Sequence, residues 1–165
     1  MAVLNLFCGP PGSGKTTLAR RLEADGHGLR ISTDDWQDDL GLDMADAAVH
    51  ERLQQRLYRH ALALLEHDVD VILEDGLWMQ EERTMVFADA RARGARIHWH
   101  VFEVPEPELW RRLEQRSARG EQGAASVSRR DLARILTLFE PPTAEERASV
   151  DECTVHQADT AHVVE

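Results

Sequence analysis

Residues 2–8 form a short apolar run that opens directly into Gly9-Pro10-Pro11-Gly12-Ser13-Gly14-Lys15-Thr16. These eight residues fit G-x-x-x-x-G-K-[ST] at every position. No other stretch restricts the fold so tightly, because such a loop works only between a buried strand and a helix. Its glycines let the backbone turn so that successive N–H groups converge on one point, and the helix that follows adds its dipole and its unpaired N–H groups. That arrangement holds phosphate. Gly12, Ser13, Gly14, Lys15, Thr16 and Thr17 are the expected phosphate-holding residues. The Lys15 ammonium reaches β- and γ-phosphate oxygens, and the Thr16 hydroxyl ligates Mg²⁺. Of the 19 basic residues, 18 are arginine, so Lys15 is the chain's only lysine.

The rest of the chain alternates between strand and helix signals. Apolar runs at 2–8, 28–33, 70–74 and 95–104 read as strands, and 154–156 or 162–164 as a last one. Helical spacing covers 15–25, 45–66, 80–93, 107–119 and 128–139. Val49, Leu53, Leu57, Ala61 and Leu64 make the strongest apolar stripe. The pattern predicts an α/β fold with a parallel sheet covered by helices on both faces. A length of 165 residues with 42% apolar side chains suits a single domain, 1–165. No apolar run is long enough to span a membrane, and the start lacks the features of a signal peptide. Two distant cysteines, Cys8 and Cys153, make no disulfide framework, so a reduced, cytoplasmic setting is expected. The net charge of −11 opposes non-specific binding to nucleic acid.

Three further groups carry candidate chemistry. Ser32-Thr33-Asp34-Asp35-Trp36 follows the second strand. One aspartate of that pair can accept the proton of an attacking hydroxyl, and aspartate also caps helices, so one can cap while the other works. Leu73-Glu74-Asp75-Gly76 ends the third strand. An acid there holds Mg²⁺ through water, and Asp75 is the expected partner of Thr16 at the metal. Arg112, Arg116 and Arg119 share one helix face, which by charge pattern alone reads as a solvated face paired with Glu108 and Glu114. Residues 34–51 hold seven acids and no Lys or Arg. Such a patch favours a cationic or neutral ligand, or else it only solubilises a helix start.

Taken in order, the phosphate loop, Ser32-Thr33-Asp34-Asp35, DVILEDG with Glu81-Glu82-Arg83, VFEVPEPELWRRL and RSARG resemble P-loop kinases of the polynucleotide kinase and chloramphenicol phosphotransferase group, with the related zeta-toxin-like ATP-binding proteins. The resemblance covers roughly residues 1–140. It implies a P-loop NTPase three-layer sandwich with five parallel strands, and phosphoryl transfer from ATP with Mg²⁺. It also implies Asp34 as general base and a short lid, about 116–128, that brings Arg116 and Arg119 over the triphosphate. Lys15, Asp34, Arg116 and Arg119 are then the expected catalytic set. Where polynucleotide kinases carry an aromatic residue and then an arginine after the aspartates, this chain has Trp36-Gln37. Gly76-Leu77-Trp78-Met79 is apolar, which suits a small organic acceptor. The expected activity is therefore transfer of the γ-phosphate of ATP to a hydroxyl of a small acceptor, without nucleic-acid or membrane partners. The alternatives are a polynucleotide or nucleoside 5′-hydroxyl kinase, or an ATP-binding and hydrolysing switch.

Overall fold

The apolar runs become a parallel sheet whose two faces are covered by helices, which buries the central strands most deeply. A computed structural model describes residues 1–120 and 127–158. Strands β1 (Val3–Cys8), β2 (Leu29–Ile31), β3 (Val71–Leu73), β4 (Arg96–Glu103) and β5 (Glu152–Gln157) all run parallel in the order β2-β3-β1-β4-β5. The helices are α1 (Lys15–Ala24), α2 (Thr33–Asp39), α3 (Ala47–Glu66), α4 (Gln80–Ala92), α5 (Glu106–Ala118), α6 (Arg129–Leu138) and α7 (Ala144–Ala148). Strand alternation divides the core. Leu4, Leu6, Val71, Leu73, Ile97 and Trp99 point to one face, where they meet Leu57, Ala61 and Leu65 of α3 and Val86, Phe87 and Ala90 of α4. Phe7, Ile72 and Phe102 point to the other and meet Ala19, Leu18 and Leu22 of α1. Leu109 and Leu113 of α5 pack with Leu132 of α6 in a smaller cluster. The result is the expected helix–sheet–helix arrangement.

Two elements escaped the sequence patterns. The strand expected over 28–33 stops at Ile31, because Ser32 caps a helix: its hydroxyl accepts the Asp35 N–H at 3.3 Å. That helix, α2, is almost entirely polar, so it carries no apolar stripe. Helix α7 is barely more than one turn, closed by a capping box between Thr143 and Glu146. Residues 154–156 lie in β5, whereas the alternative strand at 162–164 lies outside the described residues, as do 121–126 of the expected lid. Among the described residues no helix is long and apolar enough to cross a membrane.

Parallel strands place their C-terminal ends on one edge, where such sheets bind ligands. Here that edge carries the phosphate loop after β1, Ser32 to Asp35 after β2, and Glu74-Asp75 after β3. A buried ion pair fastens the surrounding loops. Arg83 of α4 is fully buried and grips Glu146 of α7 with two hydrogen bonds, 2.7 and 3.2 Å. Its remaining nitrogen donates to the carbonyls of Leu77, Trp78 and Glu140 at 3.0 to 3.2 Å. Arg83→Met removes the cation, leaves a shielded carboxylate without its counter-charge, and takes from the Glu140 carbonyl its donor. We expect it to lower the unfolding free energy by about 3–5 kcal/mol. Urea denaturation measures this, and a loss below about 1 kcal/mol would show that the pair is not holding these segments.

Candidate functional site

After Cys8 the chain turns through residues 9–14 into α1. Gly12 and Gly14 have φ of 82° and 106°, left-handed backbone that side chains resist. A Cβ on Gly12 would also meet the Leu109 carbonyl and Leu113 at 3.0 Å, so α5 lies directly on the loop. No side chain caps α1, and its first turn holds no acid, whereas Ser128 and Thr143 cap α6 and α7. The positive end of α1 is thereby left available to an anion. The Lys15 ammonium folds back across the loop, donating to the carbonyls of Gly9 at 2.7 Å and Pro10 at 2.8 Å. Burial pushes its pKa down to about 8, against the opposing attraction of Glu74, Cys8 and Asp34, and Arg116 adds to the depression. Ser13 is buried, while Thr17 faces outward.

The structure divides the acids. Asp34 and Asp35 both lie in the first turn of α2, about 100° apart around the helix. Asp35 accepts from Arg30 Nη1 at 2.7 Å and lies 3.8 Å from Arg20. Arg30, nearly buried, also donates through Nε to Glu74 at 2.6 Å. Asp34 turns outward with its side chain 59% exposed, and His50 of α3 is 3.7 Å from its carboxylate. Among the described residues no Lys or Arg lies within ion-pair distance of Asp34. His50 Nδ1 also lies 2.8 Å from Gln37 Oε1, and the fully buried Gln37 donates to the Asp43 carbonyl at 2.6 Å.

At the end of β3 the expected partner of Thr16 is replaced by its neighbour. The Thr16 hydroxyl donates to Glu74. Asp75 turns instead toward α3, where the Gln54 amide lies against it and His50, Asp34 and Glu74 are nearby. The Glu74 N–H donates to the Ile31 carbonyl and so continues the ladder. Successive residues of extended chain then point to opposite sides, which separates Glu74 from Asp75. Burial raises the Asp75 carboxyl to about 6. Within the acidic segment, Asp43 accepts the Ala45 N–H, and Asp46 caps α3 through the N–H groups of Ala48 and Val49. Asp38, Asp39 and Glu51 remain exposed.

Arg112 and Arg116 of α5 lie near the phosphate loop. Arg112 donates to the Ser13 carbonyl at 3.3 Å and to Glu108 at 2.7 Å, and Glu108 also pairs with Arg111. Arg116 lies close enough to Lys15 to disfavour its ammonium, and Arg119 is the exposed C-cap of α5. Among the described residues neither Arg116 nor Arg119 has a carboxylate within ion-pair distance. The expected pairing with Glu114 is absent there. Sequence reasoning did not single out Glu74, Arg30, His50 or Gln54. Two faint signals existed: Arg30 interrupts an apolar strand, and His50 and Gln54 sit four apart beside the stripe of α3.

The family model for AAA_33, an AAA domain, matches residues 4–142. The chain belongs to that family. A curated relative, tRNA dimethylallyltransferase 2 of Geotalea uraniireducens (strain Rf4), is 30% identical over 154 residues, covering 86% of this chain. The chain spans only 47% of that protein's length. Among solved structures, a candidate kinase from Chloroflexus aurantiacus superposes with a TM-score of 0.74 at 18% identity, over 99% of this chain and 89% of that one. The Pnkp1/Rnl/Hen1 RNA repair complex matches with a TM-score of 0.68 at 23% identity, over 83% of this chain and 43% of that one. The APS kinase CysC of Mycobacterium tuberculosis, in complex with AMPPNP and APS, matches with a TM-score of 0.59 at 16% identity, over 93% and 88%. These likenesses show the fold of P-loop kinases.

The depressed Lys15 pKa sets a pH dependence. An anion bound to the ammonium would raise that pKa, so above about pH 8 the binding of an anionic nucleotide would take up a proton. We expect ADP affinity to fall by up to roughly tenfold per pH unit above about 8, and the slope to vanish in Lys15→Met. Calorimetric titration between about pH 7 and 10 checks this, and a flat profile in the wild type would contradict the burial of Lys15 as the cause.

Proposed function

We propose that the chain transfers the γ-phosphate of ATP, with Mg²⁺, to a hydroxyl of a small organic acceptor. One observation carries this reading: Asp34 lies near enough to Lys15 to favour its ammonium and has no Lys or Arg paired to it among the described residues, while its neighbour Asp35 is locked to Arg30. A general base needs an accessible carboxylate within reach of the hydroxyl, and only the first acid of the pair meets that need. The N–H groups of residues 12–17 bind the phosphates. Lys15, Arg116 and Arg119 stabilise the charge that spreads over the transferring group, where most catalysis of this reaction lies. Thr16 and Glu74, whose oxygens already meet, are the residues that would hold a magnesium ion. When bound, the ion neutralises charge between the β- and γ-oxygens.

The APS kinase likeness supports a small acceptor and an adenine nucleotide. The RNA repair complex and the tRNA-modifying relative favour a second reading, a polynucleotide or nucleoside 5′-hydroxyl kinase. Against it stands Gln37. It occupies the place where the resemblance would set a phosphate-binding arginine, and it is buried against the Asp43 carbonyl. A module that only binds ATP has no use for an accessible base. The exposed acids Asp34, Asp38, Asp39 and Glu51 favour a cationic or neutral acceptor.

Two sets of variants test these roles. Asp34→Asn should lower kcat by roughly 10²–10⁴ and leave ADP affinity nearly unchanged. Asp35→Asn should instead lower stability in urea with a smaller effect on kcat, and the opposite ranking would transfer the base role to Asp35. Asp38→Asn combined with Asp39→Asn should raise the acceptor KM at low salt, with the difference shrinking as salt screens the field. An acceptor KM independent of these charges and of salt would remove the electrostatic preference.

A further inference from the structure

The loop after β3 is joined to the phosphate loop at three points. The Gly9 N–H donates to the Gly76 carbonyl at 3.1 Å. The Cys8 thiol donates to the Leu77 carbonyl at 3.3 Å. The Trp78 indole N–H donates to the Gly9 carbonyl at 3.2 Å. That same buried carbonyl is one of the two that hold the Lys15 ammonium. The Gly9 oxygen therefore carries two donors, one on each lone pair.

Trp78 is fixed in this position from several sides. A Cβ at position 76 would lie 2.5 Å from the indole nitrogen, so only glycine leaves room for the ring. The Trp78 carbonyl accepts the Glu140 N–H at 2.9 Å and Arg83 Nη1 at 3.2 Å. Arg83 is in turn held by Glu146. Apolar packing alone would ask only for a ring here, and the indole N–H is an addition to it.

To meet a phosphate oxygen, Lys15 must leave the Gly9 and Pro10 carbonyls, and a buried carbonyl that loses its last donor is strongly disfavoured. We propose that Trp78 is a positioning residue for Lys15: its indole N–H keeps the Gly9 carbonyl satisfied when the ammonium moves to phosphate, and so makes that move easier. This rests on the reading of residues 9–17 as the phosphate site of a nucleotide.

The test is a double-mutant cycle on ADP affinity, measured by calorimetry. Trp78→Phe keeps a ring and removes the donor, and it should weaken ADP about 5- to 100-fold in the wild-type background. In the Lys15→Met background no ammonium leaves the carbonyl, and Trp78→Phe should change affinity less than about twofold. Trp78→His, whose Nε2 takes the place of the indole nitrogen, should retain most of the wild-type affinity and serves if the Phe variant does not fold. Equal losses in both backgrounds would reduce Trp78 to general support of the loop and overturn the proposal. So would unchanged affinity in Trp78→Phe, or equal losses in the Phe and His variants. A wild-type protein that binds no ADP overturns the phosphate-site reading itself, whereas ADP binding indifferent to Trp78 overturns this proposal alone.

Discussion

Lys15 keeps its charge in a place where water has little access, donating to two loop carbonyls, and burial lowers its basicity as a result. That ammonium can exist there only because Gly12 and Gly14 adopt left-handed backbone and because the sheet edge around it is acidic. The strand order brings Glu74 beside the loop and Asp34 one strand further out, and both attract the cation. Removing a neighbouring acid would leave a desolvated cation less compensated, so the loop and the acids are one electrostatic unit.

Arg30 gives that unit its internal order. With one guanidinium it binds Asp35 and Glu74 together, each below 3 Å, across the ends of β2 and β3. The two remaining acids, Asp34 and Asp75, are left facing α3 and its His50 and Gln54. Of the four carboxylates, two are fixed by Arg30, Asp75 is buried, and Asp34 is exposed. Geometry of this kind lets neighbouring acids of the same chemical type take different roles, because each role is set by what the carboxylate touches and not by the residue alone.

Much of this was legible in the sequence, for physical reasons. The phosphate loop is readable because it needs glycines and a lysine at fixed spacing, and the strands because their apolar residues gather between turn signals, although Arg30 in β2 and two histidines in β4 interrupt them. Helix α2 was not, since its polar residues leave no stripe and its cap is Ser32, two residues before the pair that drew attention. The choice between Asp34 and Asp35 depends on helix phase, and that between Glu74 and Asp75 on strand parity, and neither has a local sequence signature. Arg112 reads as a surface charge until Leu109 and Leu113 are seen to dock α5 on the loop. The pairing of Arg83 with Glu146 joins residues 63 apart, beyond any periodicity.

The central claim is that the charges gathered at this edge drive transfer of a phosphoryl group to a hydroxyl rather than to water. The most direct measurement incubates the protein with ATP labelled in the γ-phosphate, Mg²⁺ and a panel of hydroxyl compounds that includes amino alcohols, amino sugars and a 5′-hydroxyl oligonucleotide. The account predicts label on a small neutral or cationic compound, ADP release that is slow until that compound is added, and neither in Lys15→Met. Rapid ADP release that no compound accelerates, with label appearing only as inorganic phosphate, would contradict it.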